Sequence, residues 1–210
     1  MPRRWSEAAI VGVVLYVALD VALVFLRPRF SVLHNAESDY GSRGRFAWVM
    51  DVNFVLRCLL SLAVAGALTA FVGDRARVRL GVGLLGVWAL ASGLLAFFPD
   101  DPVGTTTRGA GVVHVVLALI AFLGVLLGTF ATTRALRADA RFAPVRRPLL
   151  ALSWAALVAI LLLGHSHLRP HSLGGLFEKI FLGLELAWFL LVAVWIARLD
   201  AAAVAQAPPR

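Results

Sequence analysis

An all-α integral membrane bundle of six transmembrane helices, with both termini in the cytoplasm, is the fold class this sequence predicts. Of its 210 residues, 60% are hydrophobic and only 15% charged, whereas a soluble domain holds roughly 45–50% apolar residues. The apolar excess is gathered into six long runs with very few charges, as a hydrocarbon core requires. Most of the arginines lie between those runs, where they set topology.

The runs are residues 8–26, 46–72, 80–98, 110–131, 149–164 and 173–197. Most reach the ~20 residues needed to cross ~30 Å of hydrocarbon. The fifth is short and can be extended by His165-Ser166-His167. Each crossing is expected to be helical, because only a helix satisfies its own backbone hydrogen bonds in lipid. The first run follows a positive start, Met1-Pro2-Arg3-Arg4-Trp5, as a signal peptide does. It nevertheless contains Asp20 and ends in Arg27-Pro28-Arg29 without a small-residue cleavage site, so an uncleaved helix is expected. One domain spans 1–200, and 201–210 is expected to be a disordered tail. Trp88 and Trp154 sit at similar places in the third and fifth runs. Nothing else aligns between the two halves, so a duplicated transporter architecture gains no support.

With the N-terminus placed in the cytoplasm, 12 arginines fall in inner segments and 6 in outer ones, as the positive-inside rule requires. The first outer loop dissents, with Arg27, Arg29, Arg43 and Arg45. It spans residues 27–45 and is long enough to fold as a small re-entrant or interfacial turn. Pro99-Asp100-Asp101-Pro102 and Gly104-Thr105-Thr106-Thr107 read as a turn leading into a capped helix.

The formal charge of +8 is thereby assigned to topology, and no nucleic-acid partner is expected. Every cation except Lys179 is arginine. With the abundant Ala, Val and Leu, this suggests a GC-rich bacterial genome and hence a bacterial cytoplasmic (inner) membrane. Cys58 is the only cysteine, so no intrachain disulfide forms; inside an apolar run it packs as a small hydrophobe. There is no phosphate loop, dinucleotide glycine pattern or nucleophile elbow. Gly81-Val82-Gly83 and Gly174-Gly175 read as packing or turn glycines. Trp5, Trp48 and Trp195 suit interfacial belts, and Trp88 and Trp188 the core.

Under this topology the five histidines gather at the outer face: His34, His114 one turn into helix four, and His165, His167 and His171 around the third outer loop. The acids follow. Glu37, Asp39, Asp100 and Asp101 lie in outer loops, with Asp51 and Glu178 near outer helix ends and Asp20 and Glu185 deeper. An ionisable group within the membrane costs roughly 2.5–3.5 kcal/mol on insertion scales, so it faces the bundle interior and finds a partner. Glu178 and Glu185 are seven residues apart and share one helix face. Arg57 lies roughly 16 Å below the outer end of its run at 1.5 Å per residue, at a depth similar to Glu185. An Arg57–Glu185 pair, with Asp20 competing, is the specific structural expectation.

Three chemistries fit the cluster. Histidine with carboxylate suits a divalent metal such as zinc, with His114, His165 and His167 as ligands; His165-x-His167 is a weak signal, since spacing by two on a helix points the rings apart. Alternatively, His114 acts in acid–base catalysis with Asp39 or Asp100 and with Glu178, on a small molecule or lipid head group at the membrane surface. In the third reading the charges are structural only.

Several short motifs carry a resemblance. They are Ser38-Asp39-Tyr40-Gly41 before helix two, Phe98-Pro99-Asp100 closing helix three, Thr107-Arg108-Gly109 followed by His114 entering helix four, and Gly175-Leu176-Phe177-Glu178 with Leu184-Glu185 and Trp188 in helix six. Together they resemble the uncharacterised bacterial membrane proteins grouped as domain of unknown function 998, over nearly the whole chain. The resemblance implies a six-helix bundle and draws attention to Ser38, Asp39, Asp100, His114, Glu178 and Glu185. It brings no established activity, and the His165-x-His167 pair is not part of the pattern. The expected site is an outward pocket built from Asp39, Asp51, Asp100, His114, Glu178 and Glu185, with Ser38 and Tyr40 as further ligand-binding residues. The competing classes are a proton-linked transporter using Asp20, Arg57 and Glu185, and an accessory membrane subunit.

Overall fold

A computed structural model describes residues 2–72, 75–166, 168 and 172–206. It contains six long helices: α1 Pro2–Leu26, α2 Ala47–Phe71, α3 Arg75–Leu95, α4 Ala110–Leu136, α5 Arg146–Ser166 and α6 Gly174–Ala205. There is no strand among the described residues. All six helices are long and apolar enough to cross a membrane, which makes this a multi-pass membrane protein. Consecutive helices pack side by side and α6 returns against α1, closing a ring across which α2 also touches α6.

The outward faces remain apolar. Leu15, Leu59, Leu90, Leu119 and Leu161 are all exposed, as a lipid-facing surface should be. Buried Trp88 and Trp188 anchor the interior and satisfy their indole N–H groups, donating to Ser61 Oγ at 2.8 Å and Thr133 Oγ1 at 3.0 Å. The closest helix crossing is α3 on α4. A Cβ at Gly128 would lie 2.8 Å from Leu85 Cδ2, and one at Gly124 3.1 Å from the Trp88 nitrogen. This is a small-residue seam of the Gly-x-x-x-Gly kind, and such seams let helix backbones approach in lipid. Gly81 contributes to the same crossing, against Thr132, whereas Gly83 faces open space.

Five helices depart from their expected bounds, α1 and α4 by running on into their polar flanks, to Pro2 and Leu136. Helix α3 begins at Arg75 and stops at Leu95, because residues 96–98 turn back through 3-10-type bonds. Helix α5 is longer than its apolar run, extending from Arg146 to Ser166. Helix α6 continues to Ala205, because Ala201-Ala202-Ala203 keeps high helix propensity past the membrane. The segment 201–205 is therefore helix rather than disordered tail, and 207–210 lie outside the described residues. The threonines of the α3–α4 loop do not cap α4. Gly109 occupies the N-cap without a side-chain bond, and Asp101 Oδ2 accepts from the Arg108 N–H at 2.8 Å just ahead of the first turn.

Candidate functional site: a buried polar cluster at one end of the bundle

The three loops after α1, α3 and α5 meet at one end. The Leu176 N–H at the start of α6 donates to the Leu33 carbonyl at 3.0 Å, which satisfies one of the free N–H groups of a helix start. The His34 ring meets the Ser172 carbonyl at 2.9 Å. Lys179 Nζ donates to the Asn35 carbonyl at 2.8 Å and lies over the Tyr40 ring. This docking needs Gly175, since a Cβ there would stand 2.1 Å from the Asn35 carbonyl oxygen.

The first loop folds inward as a compact insert ending in a 3-10 turn, Ser38–Gly41. It is pinned by the arginines that seemed to dissent from the topology. Arg27 is buried and donates to the carbonyls of Tyr40, Ser42 and Arg43; Arg29 also reaches Arg43. Burial lowers the Arg27 pKa, with the neighbouring Arg29 charge acting the same way. These two guanidiniums therefore hold loop backbone, a role separate from setting orientation.

Residues 37 and 38 reach four other parts of the protein. The Glu37 carboxylate accepts from the Tyr16 hydroxyl of α1 and lies 3.9 Å from Arg57 Nη1 of α2, while its backbone N–H donates to Glu178 Oε1 of α6 at 3.2 Å. Ser38 Oγ donates to Asp100 Oδ2 in the α3–α4 loop at 3.1 Å. Asp39 turns back on its own loop, its Oδ2 accepting from Asn35 Nδ2 and from the Ala36 N–H, both at 2.9 Å. Burial raises the Asp39 carboxyl pKa, and the Asp100 charge adds to that while the two hydrogen bonds oppose it.

Arg57 sits among aromatic rings, 4.7 Å from the Trp88 centroid and 5.0 Å from that of Phe54. Its Nε is buried without a hydrogen-bond partner. The expected Arg57–Glu185 pair is not formed. Arg57 takes Glu37 from the loop instead, because the insert brings a carboxylate down to it. Asp20, also expected as its partner, is only part-buried on α1 and makes no ion pair with it. Glu185 is 2% exposed beside Thr129, with Oε1 unpartnered.

His114 of α4 is 2% exposed. Its Nδ1 lies 2.7 Å from the Phe98 carbonyl. A carbonyl only accepts, so Nδ1 carries the proton in the neutral ring and Nε2 presents its lone pair. That Nε2 has no hydrogen-bond partner and stands 4.0 Å from Asp100 Oδ2. A cavity of about 20 Å³ lies here, lined by Glu37, Ser38, Arg57, His114, Glu178 and the apolar side chains of Phe54 and Leu95. It is large enough for one water molecule.

The structure thus brings together Ser38, Asp100, His114 and Glu178, with Asp39 one residue removed. Asp51 is part-exposed on α2 and joins none of these bonds. Tyr40 is a loop core residue, its ring tilted against that of Phe30 and its hydroxyl donating to the Phe30 carbonyl at 3.2 Å. His165 is exposed on the last turn of α5, away from the buried His114, and His167 and His171 lie outside the described residues. Among the described residues no group of three His, Cys, Asp or Glu side chains converges to hold a metal; the expected set of His114, His165 and His167 includes a residue outside them. Glu37 and Tyr16 were missed as site residues. A loop acid carries no sequence mark of burial, but Tyr16 lies one turn from Asp20 on α1, and that spacing was a usable signal.

Comparison with curated proteins and with solved structures returned no match. The family model described as protein of unknown function (DUF998) matches residues 10–195, a span that takes in α2 to α5, most of α1 and α6, and the whole polar cluster. The chain belongs to the DUF998 family.

Proposed function

We propose that this is a bacterial inner-membrane protein whose clustered loops face outward and carry an acid–base site that binds or processes a small polar molecule or a lipid head group. The observation that carries the reading is the state of His114. Its Nδ1 is committed to the Phe98 carbonyl, while Nε2 is buried and unpartnered, and His114 lines the cavity shared with Glu178 and Ser38. A second-nitrogen hydrogen bond of this kind fixes tautomer and ring orientation for a general base. Asp100, held by Ser38, is placed to take an ion-pairing role when Nε2 gains a proton. Glu178 is the further candidate acid. The outward orientation is supported by the 12:6 arginine distribution and by the local backbone work of Arg27 and Arg29.

The test is a thermal-shift screen of the detergent-purified protein against small polar molecules and soluble head-group analogues, run in parallel on His114→Gln. The reading expects at least one compound that stabilises the wild type and loses its effect in the variant. If every stabilising compound acts equally on both, His114 is not part of a binding site.

A proton-linked transporter is the second reading, favoured by Glu185. This carboxyl is buried two turns below Glu178 on the same face, with an unpartnered oxygen. Intramembrane carboxyls of this kind serve proton relays. Vesicles with an imposed pH gradient would then show solute uptake that collapses in Glu185→Gln; uptake independent of the gradient counts against it.

A further inference from the structure

At the arginine-rich end of the bundle, α4 and α5 form the least closely packed seam of the ring. A groove of about 250 Å³ opens there, lined by Phe130, Arg134, Arg137, Leu150 and Trp154. Its polarity is graded. Arg137 caps the C-terminal end of α4, Arg134 lies on its last turn, and Phe130 is one further turn along the helix. Phe130 packs edge-on against Trp154 with ring centroids 5.1 Å apart. From Arg137 to Phe130 is a rise of roughly 10 Å at 1.5 Å per residue.

The charge of the groove is unbalanced. Among the described residues neither Arg134 nor Arg137 forms a side-chain hydrogen bond or ion pair. Asp139, the acid next in sequence, is engaged by Arg141 at 2.7 Å. Arg146, at the start of α5, has a buried Nε without a partner. Trp154 remains half exposed at the groove wall, and an amphipathic indole suits contact with glycerol and ester groups. Cationic end, aromatic middle and apolar continuation follow in the order of a phospholipid's own phosphate, glycerol and acyl chain.

We propose that this groove binds one anionic phospholipid, its phosphate between Arg134 and Arg137 and its acyl chain along Phe130 and Trp154. This site lies at the opposite end from the His114 cluster and stands independently of it. Each arginine is expected to contribute roughly a fivefold preference for an anionic over a zwitterionic head group.

The test uses full-length protein reconstituted in phosphatidylcholine vesicles containing a minor fraction of brominated lipid. Bromine on the acyl chain quenches nearby tryptophan. Brominated phosphatidylglycerol is expected to quench more than brominated phosphatidylcholine at the same mole fraction, and Trp154→Phe to remove the difference, since it identifies the reporter. Arg134→Gln with Arg137→Gln is expected to reduce the preference by roughly 25-fold. Both arginines are exposed, so the fold should tolerate their loss. Equal quenching by the two lipids in the wild type, or a preference that survives the double substitution, overturns the proposal. A preference abolished by added inorganic phosphate would identify free phosphate as the ligand and likewise overturn it.

Discussion

Arg57 and Glu37 meet inside the bundle with Nη1 and Oε1 3.9 Å apart, each side chain 3% exposed. One partner comes from mid-helix and the other from a loop, so the pair joins the insert to the helices below it. Removing one member of a buried pair leaves an uncompensated charge, at a cost of about 3–5 kcal/mol. Glu37→Gln and Arg57→Met should each destabilise by that order in detergent unfolding. The double variant should lose less than the sum of the two, because it buries no lone charge. Strict additivity would mean that the two groups are not energetically coupled.

Gly175 sets how closely the insert can seat. An added Cβ would stand 2.1 Å from the Asn35 carbonyl oxygen, a backbone atom that cannot rotate away. Gly175→Ala should destabilise by about 1–3 kcal/mol, the usual scale of overpacking, and should displace residues 33–37 from α6. Faster hydrogen exchange at the Leu176 amide, whose partner is the Leu33 carbonyl, is the expected signature. Unchanged exchange would show that the clasp is not rigid.

Asp39 gives the insert a dependence on pH. Burial raises its carboxyl pKa above the ordinary 3.8. The folded state therefore holds this proton more tightly than the unfolded one. Stability from this group is fully present below the ordinary value and is lost as pH rises through the raised folded value. Asp39→Asn keeps an oxygen for the Asn35 and Ala36 bonds and removes the titration. Melting curves from about pH 4 upward should lose part of their slope in the variant; an unchanged slope assigns the dependence elsewhere.

Six spans and the meeting of three loops at one end were legible because they follow from length, hydropathy and strict alternation across a bilayer. The Ser38–Asp100 bond at 3.1 Å realises that convergence. The partner of Arg57 was not legible. Depth along a helix placed it beside Glu185, but the folding of the first loop decided the pairing, and that fold depends on Arg27 gathering three carbonyls that no local pattern announces. Likewise His114 was visible as a candidate, whereas the Phe98 carbonyl that fixes its tautomer was not, because a turn ending α3 at Leu95 has no strong sequence mark. The Gly124 and Gly128 seam could have been read from spacing alone.

A substitution in that seam tests the packing directly. Gly128→Val would put side-chain atoms where Leu85 Cδ2 already lies 2.8 Å from the site of a Cβ. Separation of α3 from α4 and a loss of at least about 1–3 kcal/mol are expected. A melting temperature equal to that of the wild type would show that the crossing has room for the larger side chain.

The proposed site requires that His114 Nε2 be reached by water from the outer side. Diethyl pyrocarbonate acylates neutral imidazole nitrogens, and peptide mapping by mass spectrometry locates the product. The decisive measurement is modification of His114 in right-side-out and inside-out membrane vesicles, with exposed His34 as the internal standard for the same end. Both histidines are expected to react in right-side-out vesicles, His114 more slowly, and neither in inside-out ones. A reactive His34 beside a His114 that stays unmodified from both sides, or a His114 reached only from the cytoplasmic side, would contradict it.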